Sequence, residues 1–329
     1  MTDRSDAQIL LRDPEQSDDL VAACGLPVRP LPPAQPTTGR ERRWLDTEHG
    51  AVKRMERTLD RFTARWIYPH LFAFWHPYCW LLPRRVAITT GTIVPPRWPR
   101  PADGLRILHV SDIHCGAFLR PEVLADLLRR LMTLRPDIVA ITGDIVEGRL
   151  DDLDGFLPAL ATLTDAPLGA WYCLGNHDYF TGAPEIVLER LRSIGIRTLR
   201  NESTVVRGAG KEFVLGGVDD RTFGTRDWPR LLAPHGPPHL LLAHQPDDFY
   251  DAERRDVALV LSGHTHGGQI RFPSRGPIVR QSRFYLDEGL YTHGGATLVV
   301  SRGLGAVGLP WRAGALPEAG LLTVRAPTN

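Results

Sequence analysis

Long apolar runs are missing from this 329-residue chain. No stretch of about 18 uninterrupted apolar residues occurs, which argues against a membrane-spanning helix. The opening residues, MTDRSDAQILLRDPEQ, show no basic start followed by an apolar core, so a secretory leader is not expected. Cysteine is scarce: Cys24, Cys79, Cys115 and Cys173 are scattered, with no CxxC spacing. A disulfide framework is therefore not expected, and a reducing, cytoplasmic setting fits better. Strong net charge is lacking too. At +1 overall, no global field points to nucleic acid as a partner. Internal repeats are absent as well.

What is present is a 43% hydrophobic chain, enough for one sizeable core with an appendage or for two small domains. Its composition divides into three. Residues 1–39 carry six acidic residues against three arginines and end in PVRPLPPAQP; they read as a disordered or extended tail. Residues 40–85 begin with an amphipathic helix, in which Leu45, Val52, Met55, Leu59, Phe62 and Trp66 recur mainly at steps of three and four. Lys53, Arg54, Arg57, Arg61 and Arg65 occupy its other faces. The aromatic stretch from Trp66 to Pro83 follows, interrupted by Pro69 and Pro77, which rule out one straight helix. Residues 86–329 form the third part.

There the pattern is α/β. Short apolar strands (RILHVSD, DIVAITGD, GAWYCLGNHD) alternate with helical segments (PEVLADLLRRLMTL, DDLDGFLPALATL, APEIVLERLRSIG). Such alternation predicts parallel strands joined by crossover helices. The second half is richer in strands: EFVLGGVDD, HLLLAHQPD, VALVLSGH, ATLVVSR and GLLTVR.

Polar clusters follow these strands: SDIH with Asp112 and His114, TGD with Asp144, LGNHD with Asn176, LLAHQPD with His244, and SGHTHGGQ with His264 and His266. Ligands bind at the carboxyl ends of strands in open α/β sheets. Carboxylate, amide oxygen and imidazole suit Mn²⁺, Fe and Zn²⁺. Seven side chains are too many for one ion; shared over two, with a bridging carboxylate, they leave room for water and substrate. In Asp112-x-His114 and His264-x-His266 an extended backbone is expected to put both side chains on one side. Gly143, Gly175 and Gly263 would let the chain turn tightly or approach closely. Cys115 is expected to point away from the ion. Arg221, Arg226 and Arg302 could reach a phosphate, although an arginine without further support is by default a surface residue.

The order DxH, GD, GNHD, H, GHTH resembles the calcineurin-like metallophosphoesterase superfamily over roughly residues 104–329. The GHTHGGQI segment and the later SRGLGAVGLPWRAGALPEAGLLTV are similar to a bacterial branch described as membrane-linked phosphodiesterases, some of whose members cleave the pyrophosphate of UDP-diacylglucosamine. The resemblance implies a four-layer α/β/β/α sandwich of two mixed sheets. It implies two divalent metal ions, Mn²⁺ before Fe or Zn²⁺. Asp112, His114 and His266 would hold the first, Asn176, His244 and His264 the second, and Asp144 would bridge them. A hydroxide between the ions would attack phosphorus in line. His177 would be the general acid and Asp178 would orient it.

The implied reaction is hydrolysis of a phosphodiester or pyrophosphate bond, with a lipid-linked substrate as first choice. Two alternatives stand beside it: a soluble phosphomonoesterase or nucleotide phosphodiesterase on the same metals, and an inactive scaffold. Three roles are open to residues 41–83: peripheral contact with an anionic membrane on its inner face, packing on the catalytic domain, or a dimer contact. Relatives of the resembling branch often carry a transmembrane segment there, and this chain has a proline-interrupted aromatic segment in its place.

Overall fold

The structure, a computed structural model, describes residues 21–26, 29, 62, 67, 86–272 and 276–328. The helix expected over residues 41–68 and the aromatic stretch to Pro83 lie outside the described residues, apart from Phe62 and Ile67. Most of the 1–39 tail also lies outside them.

In chain order the strands are β1 (Val21–Gly25), β2 (Ala87–Ile93), β3 (Leu105–Val110), β4 (Ile138–Thr142), β5 (Ala170–Cys173), β6 (Arg197–Thr198), β7 (Glu202–Gly208) and β8 (Lys211–Gly217). They continue with β9 (Leu240–Leu242), β10 (Leu259–Ser262), β11 (Arg271–Phe272), β12 (Gly276–Pro277), β13 (Gly289–His293), β14 (Ala296–Val300) and β15 (Glu318–Val324). The helices are α1 (Pro121–Met132), α2 (Leu150–Asp154), α3 (Leu157–Ala161), α4 (Asn176–Phe180), α5 (Pro184–Ser193), α6 (Trp228–Leu232) and α7 (Phe249–Glu253).

Two large sheets result. The first has seven strands in the order β1-β2-β15-β3-β4-β5-β6, and the second has six, β13-β14-β10-β9-β8-β7. Both are mixed. β15 runs parallel to β2 and antiparallel to β3, while β14, β10, β9 and β8 are mutually parallel between antiparallel edges. A strand from the acidic tail, β1, pairs in parallel with β2.

Strand alternation explains the layering. In β3, Ile107 enters a core between the sheets, whereas Leu108 and Val110 enter a core beneath the helices. In β9 and β10, Leu240, Leu242, Leu259 and Leu261 face the first sheet, whereas Leu241 and Val260 pack with Trp228, Leu231 and Phe249 outside. Period-two side chains thus build three apolar layers between four structural ones. The α/β/β/α sandwich expected from the motifs is what forms.

Helix α1 starts at Pro121, with Glu122 in its first turn and Arg129 and Arg130 in its last, and buries Leu124, Leu127, Leu128 and Leu131. DDLDGFLPALATL is not one helix. Gly155 and Pro158 divide it into α2, α3 and a following 3₁₀ turn, because glycine loosens the backbone and proline lacks a donor. Among the described residues, no helix is long and apolar enough to cross a membrane.

Candidate metal centre

Strand ends converge at one edge of the sandwich. β3, β4 and β5 run parallel in one sheet, β9 and β10 in the other. Asp112 and His114 follow β3, Asp144 follows β4, and Asn176 opens α4 after β5; His244 follows β9, and His264 and His266 follow β10. All seven expected ligands therefore lie just past the carboxyl ends of parallel strands.

Their donor atoms form two groups. In the first, His266 Nε2 lies 3.1 Å from His114 Nε2 and 3.5 Å from Asp112 Oδ1. In the second, His244 Nε2 lies 3.1 Å from Asn176 Oδ1, 3.2 Å from His264 Nδ1 and 3.2 Å from Asp144 Oδ2. That same Asp144 oxygen is 3.9 Å from His114 Nε2, so it faces both groups. Atoms sharing one ion at roughly 2.1 Å sit about 3 to 3.5 Å from each other, and these separations fit.

The ring nitrogens agree. His244 Nδ1 is 2.8 Å from the Thr142 carbonyl, which can only accept. Nδ1 therefore carries the proton and Nε2 offers its lone pair to the site. In the first group, Glu147 places a carboxylate oxygen 2.6 Å from His114 Nδ1. A carboxylate there fixes the ring and raises its basicity toward a metal.

The electrostatics also favour cations. Burial pushes the His244 imidazole down, but Asp144, Asp112 and Asp220 overcome it and lift it to about 10. Burial pushes Asp144 up, and the His244, His177 and His114 rings outweigh that, holding the carboxyl well below its ordinary value. A buried place that retains a proton so firmly attracts other positive charge too.

The backbone at these residues is strained. Asp112, His114 and Asp144 all have φ of 50°, His264 has 70° and His266 has 51°. Left-handed conformations cost non-glycine residues about 1–2 kcal/mol each. Asp112-x-His114 and His264-x-His266 are thus not extended, and it is the left-handed turns that aim both side chains inward. Close approach explains Gly263: a Cβ there would lie 1.9 Å from Ser111 Oγ and 2.2 Å from Asp112 Oδ2.

His177 stands beside the first group. Its ring centre is 4.7 Å from that of His114, and its Nδ1 is 2.9 Å from the Glu147 carbonyl. Its backbone N–H donates to Asp144 Oδ1 at 2.7 Å. The expectation that Asp178 orients His177 does not match the geometry. The buried Asp178 carboxylate accepts from the backbone N–H groups of Gly175, Asp144 and Ile145 and from the Tyr172 hydroxyl. It joins the loops after β4 and β5, and Glu147 is what contacts His177.

The arginines singled out in sequence have other partners. Arg221 and Arg226 both bind Asp248 and Asp251. Arg302 pairs with Glu318 and Glu288. Cys115 and Cys173 are free and buried; Cys115 packs in the core under the helices rather than in the metal groups. Glu147 and Arg312 were not anticipated. Arg312 Nη2 is 2.9 Å from His266 Nδ1. Ligation through His266 Nε2 puts the ring proton on Nδ1, so this guanidinium, which has only donors, must then move off that atom.

Comparison with known proteins agrees with this geometry. Residues 105–268 match the family model described as calcineurin-like phosphoesterase. The chain is 31% identical over 253 residues to the uncharacterized metallophosphoesterase YkuE of Bacillus subtilis, covering 75% of this chain and 88% of that one. It is 32% identical over 209 residues to phosphodiesterase YaeI of Escherichia coli, covering 61% and 76%. It is 34% identical over 233 residues to a zebrafish (Danio rerio) transmembrane protein with a metallophosphoesterase domain, covering 65% of this chain and 52% of that protein. The chain belongs to the calcineurin-like metallophosphoesterase family and is a metal-dependent phosphoester hydrolase.

Proposed function

We propose that this chain hydrolyses a phosphodiester or pyrophosphate bond, borne on a lipid-linked substrate, with two divalent metal ions. The observation that carries the reading is the pair of donor groups sharing one oxygen of Asp144. Asp112, His114 and His266 would hold one ion, and Asn176, His244 and His264 the other, with Asp144 between them. Mn²⁺ is the first choice of metal, before Fe or Zn²⁺. When bound, such a pair activates water at neutral pH and neutralises charge on the phosphoryl group.

The chain's own residues do the rest. His177 Nδ1 donates to the Glu147 carbonyl, so Nε2 is the atom that gives a proton to the leaving oxygen. Glu147 holds His114 by one end and His177 by the other. Asp178 keeps Gly175, Asp144 and Ile145 at fixed separation. Phe180 packs at 4.5 Å on His177, and Phe223 at 5.2 Å on Phe180, forming an apolar wall beside the acid. Likeness to a phosphodiesterase supports a diester. Likeness to a transmembrane relative, together with the basic and aromatic residues of segment 41–83, supports a substrate at a membrane.

Turnover of bis(p-nitrophenyl) phosphate against p-nitrophenyl phosphate, with Mn²⁺ supplied, tests the reading. Faster cleavage of the diester is expected. Preference for the monoester would replace this proposal with a phosphomonoesterase.

A further inference from the structure

Ten large apolar side chains are exposed among the described residues, and six of them fall between residues 272 and 311: Phe272, Ile278, Val279, Tyr285, Leu309 and Trp311. The most exposed is Trp311, at 63%. Scattered single apolar residues on a surface mean little, but a concentration of them does.

These residues come from two segments joined to one another and to the metal centre. Arg271 N donates to the Ala313 carbonyl, Ala313 N to Gln269, and Ile278 N to Ile270. The Gln269 side chain bonds the carbonyls of Val307 and Leu309. Gln269 lies three residues after the ligand His266, and Arg312, next to Trp311, contacts His266 directly. The apolar residues therefore stand at the rim of the metal centre. This stretch is also basic: from Gln269 to Ala315 it has six arginines and two acidic residues. Arg271, Arg280, Arg283 and Arg302 pair with Glu288, Asp287, Asp247 and Glu318, and the excess that remains is two positive charges.

We propose that this rim docks the catalytic face onto an anionic lipid surface. Tryptophan and tyrosine favour the headgroup level, aliphatic and phenyl groups reach below it, and the positive excess matches anionic lipid. Docking in this orientation turns the metal centre toward the lipid headgroups. The proposal is separate from the choice of scissile bond and uses residues apart from segment 41–83.

The test is co-sedimentation of the full chain with phosphatidylglycerol vesicles and with phosphatidylcholine vesicles. Wild type is expected to prefer the anionic ones. Trp311→Ala, a change at an exposed position, should weaken binding several-fold, and Phe272→Ser/Leu309→Ser/Trp311→Ser by about tenfold or more. Ile186→Ser, at an exposed apolar position outside the rim, should bind as wild type. Circular dichroism melting confirms folding of each variant. Undiminished binding by the rim variants overturns the proposal, as does a wild type that binds neither vesicle. So does a self-associated wild type that Trp311→Ala turns monomeric, since the rim would then be a contact between copies. Diester turnover measured on the same samples keeps the two readings apart: an active protein that ignores vesicles sinks only the docking surface, and an inactive one that binds them sinks only the proposed reaction.

Discussion

Glu147 reaches His114 and His177 at once: its carboxylate lies 2.6 Å from His114 Nδ1, and its own carbonyl lies 2.9 Å from His177 Nδ1. One residue thereby links a proposed metal ligand to the proposed acid. Glu147→Ala should lower metal affinity at the first group roughly 10- to 100-fold. Glu147→Gln, which keeps an acceptor oxygen, should recover much of that. The backbone carbonyl survives both changes, so kcat at saturating metal should fall much less than metal affinity does. Metal titration calorimetry with kcat at saturating metal checks this, and equal metal affinity in all three proteins would contradict it.

His177→Ala should reduce kcat by about 10²–10⁴ for a diester with a poor leaving group. The loss should be much smaller with p-nitrophenol as leaving group, which needs no proton. Metal content should not change. A loss independent of the leaving group would assign His177 another task.

Asp178 receives three backbone N–H groups and the Tyr172 hydroxyl in a fully buried position. Stranding those donors costs about 1–3 kcal/mol apiece, so Asp178→Ala should lower stability by several kcal/mol in urea denaturation. Loss of activity with unchanged stability would instead restore Asp178 as a partner of His177.

Burial raises the Asp220 carboxyl from the ordinary 3.8 to about 6. A carboxyl raised in the folded state contributes stability below its unfolded value and loses it as pH climbs through the folded one. The stability of wild type minus that of Asp220→Asn should therefore fall between pH 4 and pH 7. The fall should be at most about 3 kcal/mol, measured by urea denaturation of metal-stripped protein. A flat difference would mean that Asp220 is not raised.

Much of the centre was legible because its signals are local. Each of five motifs follows a strand within a few residues, and small polar clusters at strand ends need no knowledge of pairing to be noticed. The four layers followed from the resemblance, and the strands' period-two side chains, seen in the structure, are what build them. What escaped is nonlocal. Glu147 sits three residues after Asp144, but its value depends on where the folds of the chain put His114 and His177. Arg221 and Arg226 meet Asp248 and Asp251 only because β8 lies beside β9. The insertion of β15 between β2 and β3 joins segments more than 200 residues apart. The left-handed turns at Asp112 and His114 have a different reason: Asp and His adopt positive φ more readily than most side chains, but that tendency is too weak to mark a turn, and the surrounding contacts impose it. The break at Gly155 and Pro158 is local, but the apolar spacing on either side of it reads as one continuous helix.

The central claim is that Asp144 joins two ion sites, and metal stoichiometry by mass spectrometry tests it most directly. Wild type reconstituted with Mn²⁺ should hold two ions per chain. Asp112→Asn and His264→Ala should each hold close to one, and Asp144→Asn should lose affinity at both positions. A single ion in wild type, or an Asp144→Asn protein that keeps two at undiminished affinity, would contradict the account.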